Sequence, residues 1–315
     1  MRTRARSLSI VTLAASGLLA VACGKPAPVA QVEVLPQSLT LGYPEIRELH
    51  LAWGPAAGLD PEAGQPTVFV HLLDRGGKIV RTYDHPFPQP WQEGTPVTDE
   101  VKIFQSALAS PLLPGHYQLT LGLYGNKSGK RWPLEVAGPD RGRYEYQVAE
   151  VEVPPPSAGP RLAFAGHWLA SESGGSRQIV TLRWLDGPGA LRVEGLAGPG
   201  SFWLELKIPA GEGPAEKLVL DDSSNAPSVV VSGSCGGVET GISGAGNHEI
   251  EIPVDGVPAG GSCEIRLKPN FHLLKVGLPG GGRRSVALEN AAWMPAAPGA
   301  PPPAGPMGSE ANPGT

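Results

Sequence analysis

Strict alternation of apolar and polar residues constrains this chain more than any other feature. In "HYQLTLGLY" Tyr117, Leu119, Leu121 and Leu123 fall on one face, with Gln118 and Thr120 opposite. "HEIEIPV" and "CEIRLKP" repeat the pattern with Ile250, Ile252 and Val254 and with Cys263, Ile265 and Leu267. A period of two is that of a half-buried strand, and no long stretch carries apolar residues at the three-four spacing of a helix. The 43 glycines and 35 prolines in 315 residues supply turns between short strands. The fold class expected is all-β: two antiparallel β-sandwich domains, jelly-roll or Ig-like, in tandem.

Proline marks the boundaries. "VPPPSAGP" separates two blocks of similar size, giving a first sandwich over residues 31–153, a linker over 154–160 and a second sandwich over 161–295. The Pro/Ala/Gly-rich run over 296–315 holds too little apolar surface to order itself. Residues 23–30 read as a short tether.

One stretch invites a catalytic reading. "VFVHLLDRGGKIVRTYDHPFPQPW" places His71, Asp74, Asp84, His85 and Trp91 within two dozen residues. Its pattern is nonetheless that of a hairpin: an apolar strand, a turn with Gly76 and Gly77 available for positive φ, and a returning strand. Asp74 begins the turn, where its carboxylate can bond to backbone amides. His71 and Asp74 are three apart in an extended chain and point to opposite faces, so they make a poor pair of metal ligands. His71 is expected to be a core histidine on the face of Phe69 and Leu73.

The same residues carry a resemblance. "VFVHLLDRGGKIV", "PLLPGHYQLTLGLY" and "GKRWPL" together resemble the β-sandwich domain attached to bacterial membrane glycosyltransferases of the dolichyl-phosphate-mannose mannosyltransferase type. The match runs from Val68 to Leu134. It implies a sandwich fold and a glycan-related setting, but not transferase activity, because the membrane helices and acidic catalytic loop of those enzymes have no counterpart here. The second block is similar in texture to sandwich modules of cell-envelope glycan proteins.

The N-terminus reads as an export signal. "MRTRARSLSIVTLAASGLLAVACGK" sets three arginines before an apolar run from Leu8 to Ala22 that is short for a membrane span. Residues 1–22 followed by Cys23 resemble a bacterial lipoprotein signal, with Ala20 where leucine is usual. The resemblance implies cleavage before Cys23 and acylation of its thiol, and several acyl chains hold a protein stably to a membrane. Gly24 favours the outer membrane, facing the periplasm or the cell surface. Three of the 25 basic residues lie in the leader, leaving 22 against 30 acidic ones, and so acidic a chain suits no nucleic acid.

Cys235 and Cys263 remain in the exported part, where an even pair reads as one disulfide. Enzyme signatures fail on inspection. No Gly-x-Ser-x-Gly elbow is present, and "GSCGGVETG" lacks the Lys-Ser/Thr of a phosphate loop. Asp221–Asp222 and Glu249/Glu251 read as solvated charge. No cofactor and no metal is expected. Aromatic faces are the better candidates, because sugar rings stack on them. In "SFWLELKIP" the inward set is Phe202, Leu204, Leu206 and Ile208, which leaves Trp203 outward beside Glu205 and Lys207. Trp91 and Trp132, near loops of the first block, complete the expected ligand-binding set. Trp184 falls in phase with Val180 and Leu182 and is expected in the core. The function expected is a lipid-anchored, non-catalytic envelope module for glycan, with protein docking as the alternative.

Overall fold

The computed structural model describes residues 26–155, 159–174, 180–196, 198–211, 216–254, 260–275 and 283–296. The expected export signal over 1–22, Cys23 and nearly all of the Pro/Ala/Gly-rich run lie outside them. The described residues contain strands, one 3-10 turn at Pro61–Ala63, and no α-helix.

The first sandwich is built from β1 (Ala30–Leu35), β2 (Ser38–Thr40), β3 (Ile46–Pro55), β4 (Pro66–Leu73), β5 (Ile79–Thr82), β6 (His85–Pro86), β7 (Val97–Phe104), β8 (Gly115–Gly125), β9 (Arg131–Trp132), β10 (Leu134–Val136) and β11 (Tyr146–Val153). One sheet has the order β10-β1-β3-β7; the other runs β2-β11-β8-β4-β5, with β6 on β4 and β9 on β8. Alternation decides which side chains lie between them. Val32, Val34, Leu49, Leu51, Trp53, Val101 and Ile103 face Val68, Val70, Leu72, Leu119, Leu121 and Leu123 in one core. Pairing is antiparallel except β1 with β10 and β2 with β11. Both exceptions have one cause: the chain passes from the first sheet to the second at β1–β2 and again at β10–β11, side by side and in the same direction.

The second sandwich comprises β12 (Arg161–Trp168), β13 (Glu172–Gly174), β14 (Val180–Glu194), β15 (Gly200–Ile208), β16 (Glu216–Leu220), β17 (Ser228–Gly233), β18 (Glu239–Ser243), β19 (Gly246–Val254), β20 (Ser262–Pro269), β21 (Phe271–Lys275) and β22 (Ala287–Pro295). The strand order is β18-β17-β20-β14-β22-β15-β19, with β12 and β13 also on β14; β16 and β21 form a separate ribbon. The 15-residue β14 serves both layers. Its first part pairs with β13 and β22, and its last part, from Gly189, with β12 and β20. The corner falls at Asp186-Gly187-Pro188-Gly189, where a side chain on Gly189 would strike Leu185 and the Trp168 indole. Between the layers Phe202, Leu204 and Leu206 meet Val229, Val231, Ile265 and Leu267. Leu185, Leu191 and Val193 are the core residues of β14, whereas Trp184 is half-buried under the Arg284 guanidinium. Leu185, Leu191 and Val193 share one parity through the corner, so the inward face of β14 is the odd-numbered one and Trp184 lies on the other.

Cys235 and Cys263 are bonded, with their Cα atoms 5.6 Å apart. The bridge ties the turn after β17 to the start of β20, and the Ser234 N–H and hydroxyl pair there with the backbone of Glu264.

Candidate functional site

The stretch around His71 folds as a hairpin with a third contact: β5 and then β6 return along β4. Asp74 Oδ1 accepts from the N–H groups of Gly76 and Lys78, each at 2.9 Å, and Gly77 takes a φ of +77°. Val68, Val70 and Leu72 enter the core, so Phe69 and His71 lie on the outer face of the sheet. They are nevertheless buried, at 1% and 7% exposure. The loop before β11 covers them and brings Glu145 over His71. Gly122 makes this close approach possible: any side chain there would meet the Phe69 ring and the Tyr144 carbonyl.

His71 is thus not the core histidine expected but the centre of an ion network. Its Nδ1 lies 3.4 Å from Glu145 Oε1 and its Nε2 3.5 Å from Asp84 Oδ1. Thr120 donates to Glu145 Oε1 at 2.7 Å, Arg131 reaches Oε2 at 3.2 Å, and the Arg131 guanidinium stacks 4.3 Å from the Phe69 ring. Burial alone would push the imidazole down, but hydrogen bonds and charge from Asp84 and Glu145 outweigh it and raise its pKa to about 9. The hydrogen bond from His71, helped by Thr120 and Arg131, overcomes partial burial and holds Glu145 at about 2. Neither group changes protonation near neutral pH, so the pair is unsuited to general acid–base work. Among the described residues no group of three His, Cys, Asp or Glu side chains is placed to hold a metal ion. Of the residues in the motifs that resemble the glycosyltransferase-attached domain, His71, Gly122, Tyr124 and Arg131 lie on this face, whereas Tyr117, Trp132 and Leu134 enter the core and Asp74 the turn. Glu145, distant in sequence, had no signal that could have found it.

The predicted aromatic set divides. Trp132 is 2% exposed and packs in the first core, so it presents no face to a ligand. Trp91 is half-buried at one end of that core, its ring tilted against Phe87, which packs edge-on against Trp53. His85, next to this cap, donates from Nε2 to Asp99 Oδ2 at 2.8 Å; burial opposes its charged form, but Asp99 prevails and raises its pKa.

Trp203 points away from the second core, as alternation requires, yet it is only 2% exposed and offers no platform. The first sandwich covers it. Ile46 at the start of β3, Phe104 at the end of β7, Ala292 and Met294 enclose the indole, whose ring lies 5.0 Å from that of Phe104. The Trp203 N–H donates to Glu249, which also takes a 2.6 Å bond from Lys102 across the seam. Backbone bonds continue the contact: Trp293 N–H to Pro44 at 2.6 Å and Ala107 N–H to Ala291 at 2.7 Å. Parity tells which face a residue takes but not what another domain lays over it. Glu205 and Lys207 belong to a polar ladder beside the seam, with Asn290 donating to Glu205 at 2.7 Å and Lys207 3.6 Å from Glu289. Burial, then the charges of Glu289 and Glu249, raise the Glu205 pKa.

The outer face of the first sheet continues from this seam. Its cross-strand pairs run Ile46–Phe104, Glu48–Lys102, His50–Glu100 and Ala52–Thr98. Trp203 covers only the first. Beyond it opens a groove of about 290 Å³ lined by Glu33, Leu35, His50, Leu51, Ala52, Thr98, Asp99 and Glu100.

No protein-family model matches the chain, and no curated protein matches it. Among solved structures, tripeptidyl peptidase 2 shares 10% identity at a TM-score of 0.23, over 86% of this chain and 21% of that one. CBD12 from CALX1.2 shares 12% at 0.22, over 77% and 79% of the two chains. A Bacteroides uniformis beta-glucuronidase shares 13% at 0.21, over 85% and 30%. The chain spans about a fifth of the first of these, and likenesses this weak identify neither a family nor a ligand.

Proposed function

We propose that the protein is an exported, lipid-anchored, non-catalytic module of the cell envelope that docks a protein partner, its two sandwiches acting as one rigid body. The observation that carries this reading is the position of Trp203. The side chain best suited to stack on a sugar is instead the centre of an interdomain seam, which makes a broad composite surface from two small folds. The leader ending at Cys23 supports the anchored location, and the fixed protonation of His71 and Glu145 supports a role without acid–base chemistry. The glycan reading rested on the resemblance of the first sandwich and on outward tryptophans, and with Trp203 and Trp132 buried it keeps the resemblance and Trp91.

The test is photo-crosslinking in intact cells. A crosslinking residue at Thr98, in the open groove, is expected to trap one discrete partner, and one at Lys217, on the exposed ribbon of the second sandwich, is not. Equal, diffuse labelling from both positions would defeat the docking reading. A saturable fluorescence change with envelope polysaccharide that Trp91→Ala abolishes would restore the glycan reading.

A further inference from the structure

We infer that the groove beside the seam receives a lysine- or arginine-bearing extended segment of a partner protein. This inference rests on the docking reading above and names the place and the chemistry of the partner.

Three features of the groove specify that occupant. Its floor and one wall are apolar or small: Ala52 and Thr98 lie flat between the strands, and Leu35 stands beside them at 53% exposure. Its opposite sides carry Glu33 on β1 and Glu100 on β7. Those strands flank β3, and the register sets Glu33, Ala52 and Thr98 on one rung and Leu35, His50 and Glu100 on the next, so Glu33 and Glu100 stand on a diagonal of the groove, their backbones about 12 Å apart by two strand spacings and two residues along the strand. A long cationic side chain fits this shape, its methylene stem along Leu35 and Ala52 and its head between the carboxylates.

The charge is not already satisfied from within. Lys102 is bonded to Glu249 at the seam, and the imidazole of His50 lies 3.9 Å from Glu100. No lysine or arginine ion-pairs with Glu33, Glu48 or Glu100 among the described residues. Burial, then repulsion from and a hydrogen bond with Glu100, raises the Glu48 pKa against the opposing effect of His50, as expected where carboxylates crowd on one face. The open rungs also continue directly from those that Trp203 and Lys102 close, so an arriving segment extends an interface already formed. A metal ion is the poorer occupant, because no three ligands converge among the described residues.

The experiment uses the full chain and fluorescence anisotropy of two labelled extended decapeptides, one alternating Arg and Leu, the other Glu and Leu. The basic peptide is expected to bind, to weaken as salt is raised, and to weaken about tenfold in the E33Q/E100Q double variant and at least as much in Ala52→Trp, which fills the groove. All the substituted positions are at the surface, and circular dichroism verifies that the variants fold. Equal binding of the two peptides, or basic-peptide binding untouched by both variants, overturns the inference. So does displacement of the peptide by spermidine at equal charge concentration, which assigns the groove to a small polycation. Self-association of the chain that Ala52→Trp abolishes likewise overturns it in favour of a second copy. A partner trapped at Thr98 in cells without any preference for the basic peptide would refute this occupant and leave docking standing, whereas failure of both refutes both.

Discussion

If His71 holds Glu145 and Asp84 as a charged imidazolium, the first sandwich must lose stability as the pH is raised. The folded-state pKa of about 9 lies above the ordinary 6.5, so the contribution is complete below pH 6.5 and vanishes as the pH climbs through 9. The interval corresponds to about 3 kcal/mol at 1.36 kcal/mol per decade, an upper estimate because part of the network relaxes. Glu145 reports the same interaction from the other side, present above pH 4.5 and lost as the pH falls towards 2, and the two are not summed. The assay is urea unfolding at pH 6.0 and 9.5 of the natural chain and His71→Gln, read by near-ultraviolet circular dichroism. The natural chain should lose about 3 kcal/mol more than the variant between those pH values. Taking the difference removes His85, whose pKa Asp99 also raises against the effect of burial. Identical pH dependence in the two proteins would show that His71 is not the group that titrates, and the network would have to be redrawn.

Three further outcomes follow from the packing. Trp203→Ala should cost about 3–5 kcal/mol, the usual range for removing a buried tryptophan, and calorimetry should resolve two transitions where the natural chain has one; an unchanged single transition would mean the seam does not couple the sandwiches. Gly122→Ala should destabilise the first sandwich by about 1–3 kcal/mol through collision with the Phe69 ring and the Tyr144 carbonyl, and should raise hydrogen exchange in the loop before β11. Reducing the Cys235–Cys263 bond, which closes a separation of 28 residues, should cost about 3–4 kcal/mol, measured as the shift in urea midpoint with and without reductant.

Much of the strand content was legible because burial imposes a period of two. Leu119, Leu121 and Leu123 enter the core where alternation puts them, and the turn chemistry of Asp74 and Gly77 is local enough to be read from six residues. Contacts made across the fold were not legible. Glu145 lies 74 residues beyond His71, and nothing in either neighbourhood announces the other. Trp203 is a sharper case, since its face was readable and its exposure was not: Ile46 and Phe104, which cover it, come from the other sandwich. Trp184 failed for a different reason: it lies before the Asp186–Gly189 corner on the even-numbered face of β14, and the core takes the odd-numbered face, with Leu185, Leu191 and Val193.

That corner also governs how the second sandwich can go wrong. A strand confined to one layer may slip by a residue and turn only its own sheet inside out. β14 belongs to both layers, so a slip would send Leu191 and Val193 outward in one and misalign Arg183 and Trp184 with β22 in the other. The two errors arrive together, and no half-correct arrangement is left to accumulate. The register of both layers is therefore set together by one strand, with the Asp186–Gly189 corner between its two sets of pairings.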